Sequence, residues 1–173
     1  NKKIYELCCA LRNQGRKEGD RWLEHKYLGY NYRMDELSAA LGISQLSKID
    51  FILSERKKIA GWYTKLLSPF QDFVQTPLVA ENNTHSWFVY VVRLKVNNIG
   101  RDKIIDALQK EGIQTKPYLP SIHLFDFYKK KFKFGKNAFP ISEKISSETL
   151  ALPFYIGLTK RDCFYIIRKL IEA

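Results

Sequence analysis

Apolar residues recur every three or four positions in two early stretches of the chain, which is the spacing of amphipathic helices. The first stretch predicts a helix over residues 3–13. The second begins near Asp35, whose carboxylate suits a helix N-terminus, and runs to Pro69. We therefore predict one long helix over residues 35–68, preceded by a polar, aromatic-rich loop over residues 15–34.

Beyond residue 69 the apolar runs become short, which is typical of strands. The run over residues 87–94 (WFVYVVRL) is apolar almost throughout and rich in β-branched and aromatic residues, so we expect a strand buried on both faces. Shorter strands are predicted over residues 73–79 and 113–118. The helical segments predicted here are 101–110, 125–128, 142–150 and 159–170. This order predicts an α+β fold in which helices cover a small, mainly antiparallel sheet.

The composition limits the class of protein. With 173 residues, 45% hydrophobic and 14% aromatic, the chain can form a core and is not a disordered protein. No apolar run approaches the roughly 18 to 20 residues that span a bilayer, so no transmembrane helix is expected. Residues 1–15 lack the apolar core of a signal peptide, and a cytoplasmic location is expected.

The net charge of +11 raises the possibility of an anionic partner. Much of this charge lies in Lys129–Lys136 (KKKFKFGK). Phe132 and Phe134 within this run have two interpretations: they stack on nucleic-acid bases, or they anchor a solvated loop to the core. Since no nucleic-acid-binding motif is recognisable, the second interpretation is favoured.

Residue spacing alone leaves the chemistry undetermined. The three histidines lie far apart, and neither a catalytic triad order nor a glycine-rich phosphate loop can be assembled. The three cysteines lack metal-type spacing, so buried thiols and no metal site are expected.

An ordered set of short motifs, however, extends over nearly the whole chain. In this order they resemble the DegT/DnrJ/StrS family of sugar aminotransferases that use pyridoxal phosphate (PLP). The motifs are Arg12-Asn13-Gln14-Gly15, Gly29–Met34 (GYNYRM), Ala39–Leu46 (AALGISQL), Arg56–Tyr63 (RKKIAGWY), Gly112-Ile113, Tyr118–His123 (YLPSIH), Phe139-Pro140, Leu152-Pro153 and Gly157–Thr159.

The resemblance implies the C-terminal portion of a fold-type-I, aspartate-aminotransferase-like enzyme. Residues 1–34 would be the tail of the large PLP-binding domain and an interface loop. Residues 35–68 would form the connecting interface helix, and residues 69–173 the C-terminal small α+β domain.

The resemblance also implies a role for the GYNYRM motif. Asn31 is expected to reach across a dimer interface and donate a hydrogen bond to the PLP phosphate held by the partner subunit, for which an amide is a suitable donor. Without the motif, Asn31 would be interpreted as a turn-capping residue. Tyr30 either lines the substrate cleft or packs at the interface, and Arg33 either supports the loop or contacts an anion.

Substrate contacts are implied further along the chain. His123 is expected near the sugar, with a purely structural histidine as the alternative. Lys116 and Tyr118 are expected near the nucleotide diphosphate, where a lysine acts as a flexible point charge. Trp87 follows a pattern seen near the substrate, but packing in a buried strand is the favoured interpretation.

The implied reaction is amination of a nucleotide-linked keto-sugar, with glutamate as amino donor, in surface polysaccharide, lipopolysaccharide or related sugar biosynthesis. A homodimer is implied. The Schiff-base lysine of the family lies upstream, and no lysine here matches its setting, so the chain alone is expected neither to hold PLP well nor to transaminate. The alternatives are a basic nucleic-acid-binding module, or a noncatalytic interaction domain that completes a partner's site.

Overall fold

The computed structural model describes residues 1–19, 21–22, 24–95 and 100–173. It divides into two compact units, Asn1–Ile49 and Asp50–Ala173. The domain limits that the resemblance implies, at residues 34 and 68, stay a prediction.

The first unit contains two capped helices joined by the aromatic-rich loop. Helix α1 spans Lys2–Arg12, and the side chain of Asn1 accepts a hydrogen bond from its first turn. Helix α2 spans Glu36–Leu46. Its cap is Asp35, whose carboxylate accepts from Ser38 N at 2.8 Å; this contact lowers the pKa of that carboxyl group. The predicted starts of both helices are confirmed.

The prediction of one unbroken helix over residues 35–68 is wrong. Helix α2 stops at Leu46, and helix α3 spans Ile49–Leu67 after a two-residue turn. At the turn, the hydroxyl of Ser47 donates to Ser44 O at 2.9 Å. Serine side chains that bond to nearby carbonyls compete with the helical ladder, but Ser54 makes the same contact inside α3, so this bond alone does not account for the break.

The second unit contains a four-stranded antiparallel sheet in the order β1-β2-β4-β3. In β2 the burial alternates: Tyr90, Val92 and Leu94 are buried, whereas Val91 and Arg93 are half-buried. The expectation of a strand over 87–94 buried on both faces is therefore wrong, and the first and third predicted strands are shorter than expected. The strands are β1 Val74–Gln75, β2 Tyr90–Leu94, β3 Lys116–Pro117 and β4 Thr149–Leu152.

Strand β4 corrects a further prediction. Helix α6 starts at Pro140, which suits the first helical turn, and ends at Glu148. Leu150, predicted to be helical, instead pairs with Val92 in the neighbouring strand β2. The remaining helices are α4 Arg101–Lys110, α5 Asp126–Phe132 and α7 Lys160–Glu172. Helix α7 begins with a capping box made by Thr159 and Asp162.

The core of the second unit lies between the sheet and helices α3, α4 and α7. Two buried tyrosines are hydrogen-bonded within it: Tyr63 donates to Pro153 O at 2.8 Å, and the hydroxyl of Tyr90 pairs with Thr64 at 2.8 Å. Burial raises the pKa of Tyr90 to about 12. These groups stay uncharged and structural.

The cysteines differ in their surroundings. Cys163 is buried in the core, and burial raises the pKa of its thiol to about 11. Cys9 is half-buried and Cys8 is exposed, so the expectation of three buried thiols is wrong for the pair in α1.

Candidate functional site

The GYNYRM segment is held by the C-terminal end of α1. Tyr30 N donates to Leu11 O at 2.7 Å, and Tyr32 N donates to Arg12 O at 2.9 Å. An isolated antiparallel bridge joins Asn13 to Asn31. The two motifs recognised in the sequence around residues 12–15 and 29–34 are therefore one structural element.

Steric crowding explains why residue 29 of this segment is a glycine. A Cβ added to Gly29 would lie 2.2 Å from the backbone nitrogen of Gly15. Gly15 itself has φ +82°, and a Cβ there would lie 1.8 Å from Tyr27 O. Only glycine allows these backbones to approach so closely. The contact sets the path of the chain immediately before Asn31.

Asn31 and Arg33 form a hydrogen-bonded pair in the segment. Arg33 Nε donates to Asn31 Oδ1 at 2.9 Å, and both residues are exposed. A guanidinium can only donate hydrogen bonds, so this contact fixes which end of the Asn31 amide is the oxygen. The amide NH₂ of Asn31 is consequently presented as a donor next to a fixed positive charge.

Tyr30 lies beside this pair but makes a different contact. Its ring stacks on Tyr32 with centroids 5.0 Å apart and planes 9° from parallel, and 57% of the residue is exposed. The stacking holds the ring in place on the surface of the first unit. Its predicted substrate role stays a prediction.

A cleft of about 1070 Å³, lined in part by Arg33 of this pair, was not predicted from the sequence. Its lining includes the cationic side chains of Arg12, Arg16 and Arg33. Arg16 Nη2 donates to Gln14 Oε1 at 3.0 Å, whereas its buried Nε has no partner among the described residues. The basic residues at the two motifs, Arg12, Arg16 and Arg33, are the sequence feature from which a cationic cleft could have been predicted.

His123 lies in the second unit, in a 3-10 turn over Ile122–Leu124. Its Nε2 lies 2.9 Å from Glu143 Oε1, and the two side chains are only 9% and 13% exposed. The same carboxylate accepts from the backbone N–H groups of Asn137 and Phe139 at 3.0 and 3.3 Å. The N–H of Asn137 foremost, then the imidazole of His123, lowers the pKa of Glu143. Glu143 is not among the candidate site residues that the sequence indicates.

Lys116 lies on strand β3, and Tyr118 lies in the segment that connects β3 to His123. Lys116 is exposed and pairs with Ala151, whereas Tyr118 is half-buried. The hydroxyl of Thr149 donates to Tyr118 O at 3.1 Å, and Ser146 Oγ donates to Leu119 O at 3.0 Å. Helix α6 and the start of β4 thus position the whole segment from residue 118 to residue 123.

The phenylalanines of the lysine run do not anchor it to the core, contrary to the favoured interpretation. Phe132 and Phe134 remain 49% and 39% exposed and pack on one another with centroids 5.9 Å apart. Phe134 also contacts Phe139 at 5.3 Å, and Phe139 contacts the imidazole of His123 at 4.8 Å. A continuous set of rings thus connects the lysine run to His123.

Trp87 has the predicted packing role, but it does not lie in a strand as expected. It packs against the core, and its ring lies 5.8 Å from that of Tyr90. Its φ of 51° is incompatible with a strand, which explains why β2 begins three residues later.

In the part of the chain that the structure describes, no helix is both long and apolar enough to cross a membrane. Within the same residues, no group of three or more His, Cys, Asp or Glu side chains could hold a metal ion.

Comparison with known proteins gives the same family as the motifs in the sequence. The model of the DegT/DnrJ/EryC1/StrS aminotransferase family matches residues 1–171. A GDP-perosamine synthase from Caulobacter vibrioides is 32% identical, over 94% of this chain and 43% of its own length. The spore coat polysaccharide biosynthesis protein SpsC from Bacillus subtilis is 30% identical, over 92% and 41%. The chain spans less than half the length of these relatives.

Solved structures show the same fold. A DegT DnrJ EryC1 StrS aminotransferase from Brucella abortus superposes with a TM-score of 0.82 at 25% identity, over 99% of this chain and 44% of that chain. The aminotransferase PseC from Helicobacter pylori superposes with a TM-score of 0.86 at 22% identity, over 99% and 46%. The predicted fold class, the small α+β domain of an aspartate-aminotransferase-like PLP enzyme, is confirmed.

Proposed function

This chain belongs to the DegT/DnrJ/EryC1/StrS aminotransferase family, and on that premise we propose that it is the C-terminal portion of a PLP-dependent sugar aminotransferase. The complete enzyme converts a nucleotide-linked keto-sugar into an amino sugar, with glutamate as amino donor, in surface polysaccharide or related biosynthesis. The observation that carries the proposal is the Asn31–Arg33 pair, held at the end of α1 with an amide donor facing outward.

The residues of this pair fit a phosphate. The Asn31 amide offers two N–H donors once its oxygen is engaged by Arg33, and the guanidinium adds a nearby positive charge. PLP, when bound, supplies the electron sink for amino transfer. The role of Asn31 is to donate to the PLP phosphate held by a second subunit, and the role of Arg33 is to orient that amide.

In this proposal, the chain makes no covalent bond to PLP. None of its lysines forms the bond to PLP, and the chain alone does not transaminate. The substrate lies against the second unit, where His123, Tyr118 and Lys116 are held by α6 and β4. Tyr30 is assigned a separate contact with the substrate. The enzyme acts in the cytoplasm.

Association with a second subunit is supported by helix α2. Among its described residues none is buried, although it is rich in apolar side chains. Leu37, Leu41, Ile43 and Leu46 are each more than 60% exposed. Apolar patches of this kind are seldom left uncovered in a stable protein. We assign this helix to the interface of a homodimer.

Arg33→Ala is expected to weaken PLP binding by the complete protein by about 0.5 to 1.5 kcal/mol, since it removes one hydrogen bond that orients Asn31. The PLP dissociation constant can be measured by absorbance titration. Arg21→Ala, an exposed arginine of the same loop, is the matched control and should leave the constant unchanged. Equal effects of the two variants would contradict the orienting role.

An amino-transfer assay tests the proposed function. The full-length protein that contains this chain is incubated with PLP, glutamate and keto-sugars linked to different nucleoside diphosphates, and the products are identified by mass spectrometry. We expect conversion of the carbonyl to an amine for at least one nucleotide. Absence of conversion for every nucleotide, in a protein that has bound PLP, would refute the proposal.

A further inference from the structure

Residues 127–139 combine positive charge and exposed aromatic rings in a way that the proposed reaction does not require. The segment contains five lysines, five aromatic residues and no aspartate or glutamate. All five lysines are exposed, and Phe127, Phe132 and Phe139 are 63%, 49% and 45% exposed. We call residues 127–139 the Lys/Phe surface.

The lysines distinguish this surface from an interface inside a larger protein. The chain spans less than half the length of its relatives, so an apolar face alone could be covered by another part of the enzyme. Removing a lysine ammonium from water is strongly unfavourable unless a carboxylate is paired with it. Lys129 lies 3.9 Å from Asp126, an exposed pair that contributes little. The remaining lysines of the segment therefore favour either water or an anionic partner.

The aromatic rings of the Lys/Phe surface pack on one another. Phe132 stacks on both Tyr128 and Phe134, with centroids 5.9 Å apart in each pair, and Phe127 lies 4.3 Å from Tyr128. A nucleic-acid base requires a free ring face for stacking. Since these rings already have partners within the chain, their arrangement favours an occupant that accepts a packed apolar cluster. Lipid headgroups and the acyl chains below them form such an environment.

We propose that the Lys/Phe surface binds the face of an anionic lipid bilayer: the lysines contact the headgroups, and the exposed rings enter the boundary between headgroups and acyl chains. Aromatic side chains are enriched at this depth of a bilayer. Roughly four to eight basic residues in one cluster are typical of segments that bind anionic lipids, and stable binding requires an apolar contribution as well. The contact is peripheral and independent of the reaction assigned to the complete enzyme.

Vesicle sedimentation with the complete protein that contains this chain tests the proposal. The protein should sediment with vesicles of phosphatidylcholine mixed with phosphatidylglycerol, but not with phosphatidylcholine alone, and added salt should weaken the binding because it screens the lysines. Binding to neither vesicle, or equally to both, would overturn the proposal. Tighter binding to a single-stranded oligonucleotide than to the anionic vesicles would identify nucleic acid as the occupant and would also overturn it.

A pair of charge-matched variants locates the binding surface. Lys130→Gln combined with Lys131→Gln should weaken vesicle binding roughly 30-fold, since two lysines near the headgroups are neutralised. Lys103→Gln combined with Lys110→Gln, two exposed lysines of α4, removes the same charge elsewhere and should have little effect. Equal loss of binding in the two double variants would show that only net charge matters, which would overturn the assignment to the Lys/Phe surface.

A second variant tests the apolar contribution without changing the charge. Phe127 is 63% exposed, so Phe127→Gln is expected to fold, and it should weaken binding to anionic vesicles about fivefold. Phe164→Gln, at a ring of α7 that is 56% exposed, is the control and should bind as the unaltered protein does. Circular dichroism verifies that both variants are folded. Unchanged vesicle binding in folded Phe127→Gln would contradict the insertion of this ring, whatever the outcome of the amino-transfer assay.

Discussion

Asn31→Ala lowers the affinity of the complete protein for PLP by about 1.5 to 3 kcal/mol, the range for a hydrogen bond to a charged group. The expectation follows from geometry: Arg33 occupies the amide oxygen at 2.9 Å, and the NH₂ group is the part of Asn31 presented outward. The measurement is an equilibrium titration with PLP, on protein verified to be dimeric.

Asn31→Asp separates the donor role from a structural one. Aspartate is nearly the same shape and can still accept from Arg33, but it has no N–H to donate and would repel a phosphate. It should therefore weaken PLP binding at least as much as alanine. Asn83→Ala, an exposed turn amide, should have no effect. Normal affinity in Asn31→Asp would show that Asn31 shapes the loop and does not contact the cofactor.

Leu150→Ala is expected to destabilise the second unit by about 2 to 5 kcal/mol, the range for truncating a fully buried leucine. Leu150 has no exposed surface, and β4 lies between β2 and β3 in the sheet. Its removal leaves a cavity among residues of several elements. Unfolding by urea can be followed by tryptophan fluorescence, since Trp62 and Trp87 pack against this core.

Leu78→Ala provides the control for this substitution. Leu78 is 91% exposed, so its truncation should alter the free energy of unfolding by no more than about 0.5 kcal/mol. A small effect of Leu150→Ala, equal to that of Leu78→Ala, would contradict the placement of residue 150 in the central strands.

The elements predictable from the sequence are those whose signals are local. Helices α1, α4 and α7 follow from spacing and caps, and Asp35 and Thr159 begin their helices as predicted. The break after Leu46 was missed because the apolar spacing continues across it, and a serine hydroxyl bonded to a carbonyl three residues earlier is not specific to a break: Ser47 makes this contact at the turn and Ser54 makes it inside α3.

Strand β4 illustrates why the remaining elements were harder to predict. Thr149 and Leu150 directly follow a helix with no glycine or proline between them, so the pattern gives no stop signal. Their conformation is decided by pairing with β2, more than 50 residues earlier in the chain. Tertiary partners of this kind override local propensity.

The candidate site shows the same division between local and long-range signals. Asn31, Arg33 and His123 were nominated because they stand in recognisable motifs. Glu143 stands near a motif, but its contact with His123 joins residues that are 20 positions apart in the sequence. Only the tertiary structure brings the two side chains together. The grouping of rings between Phe132 and Phe139 likewise depends on where the chain turns.

The most direct test of the central proposal, that this chain contributes a phosphate contact but no covalent PLP site, uses the purified chain and PLP alone. The visible spectrum is recorded, borohydride is added to fix any covalent adduct, and modified lysines are located by peptide mass spectrometry. We predict no stoichiometric adduct at any single lysine. Stoichiometric, borohydride-sensitive binding of PLP at one lysine of this chain would contradict the proposal.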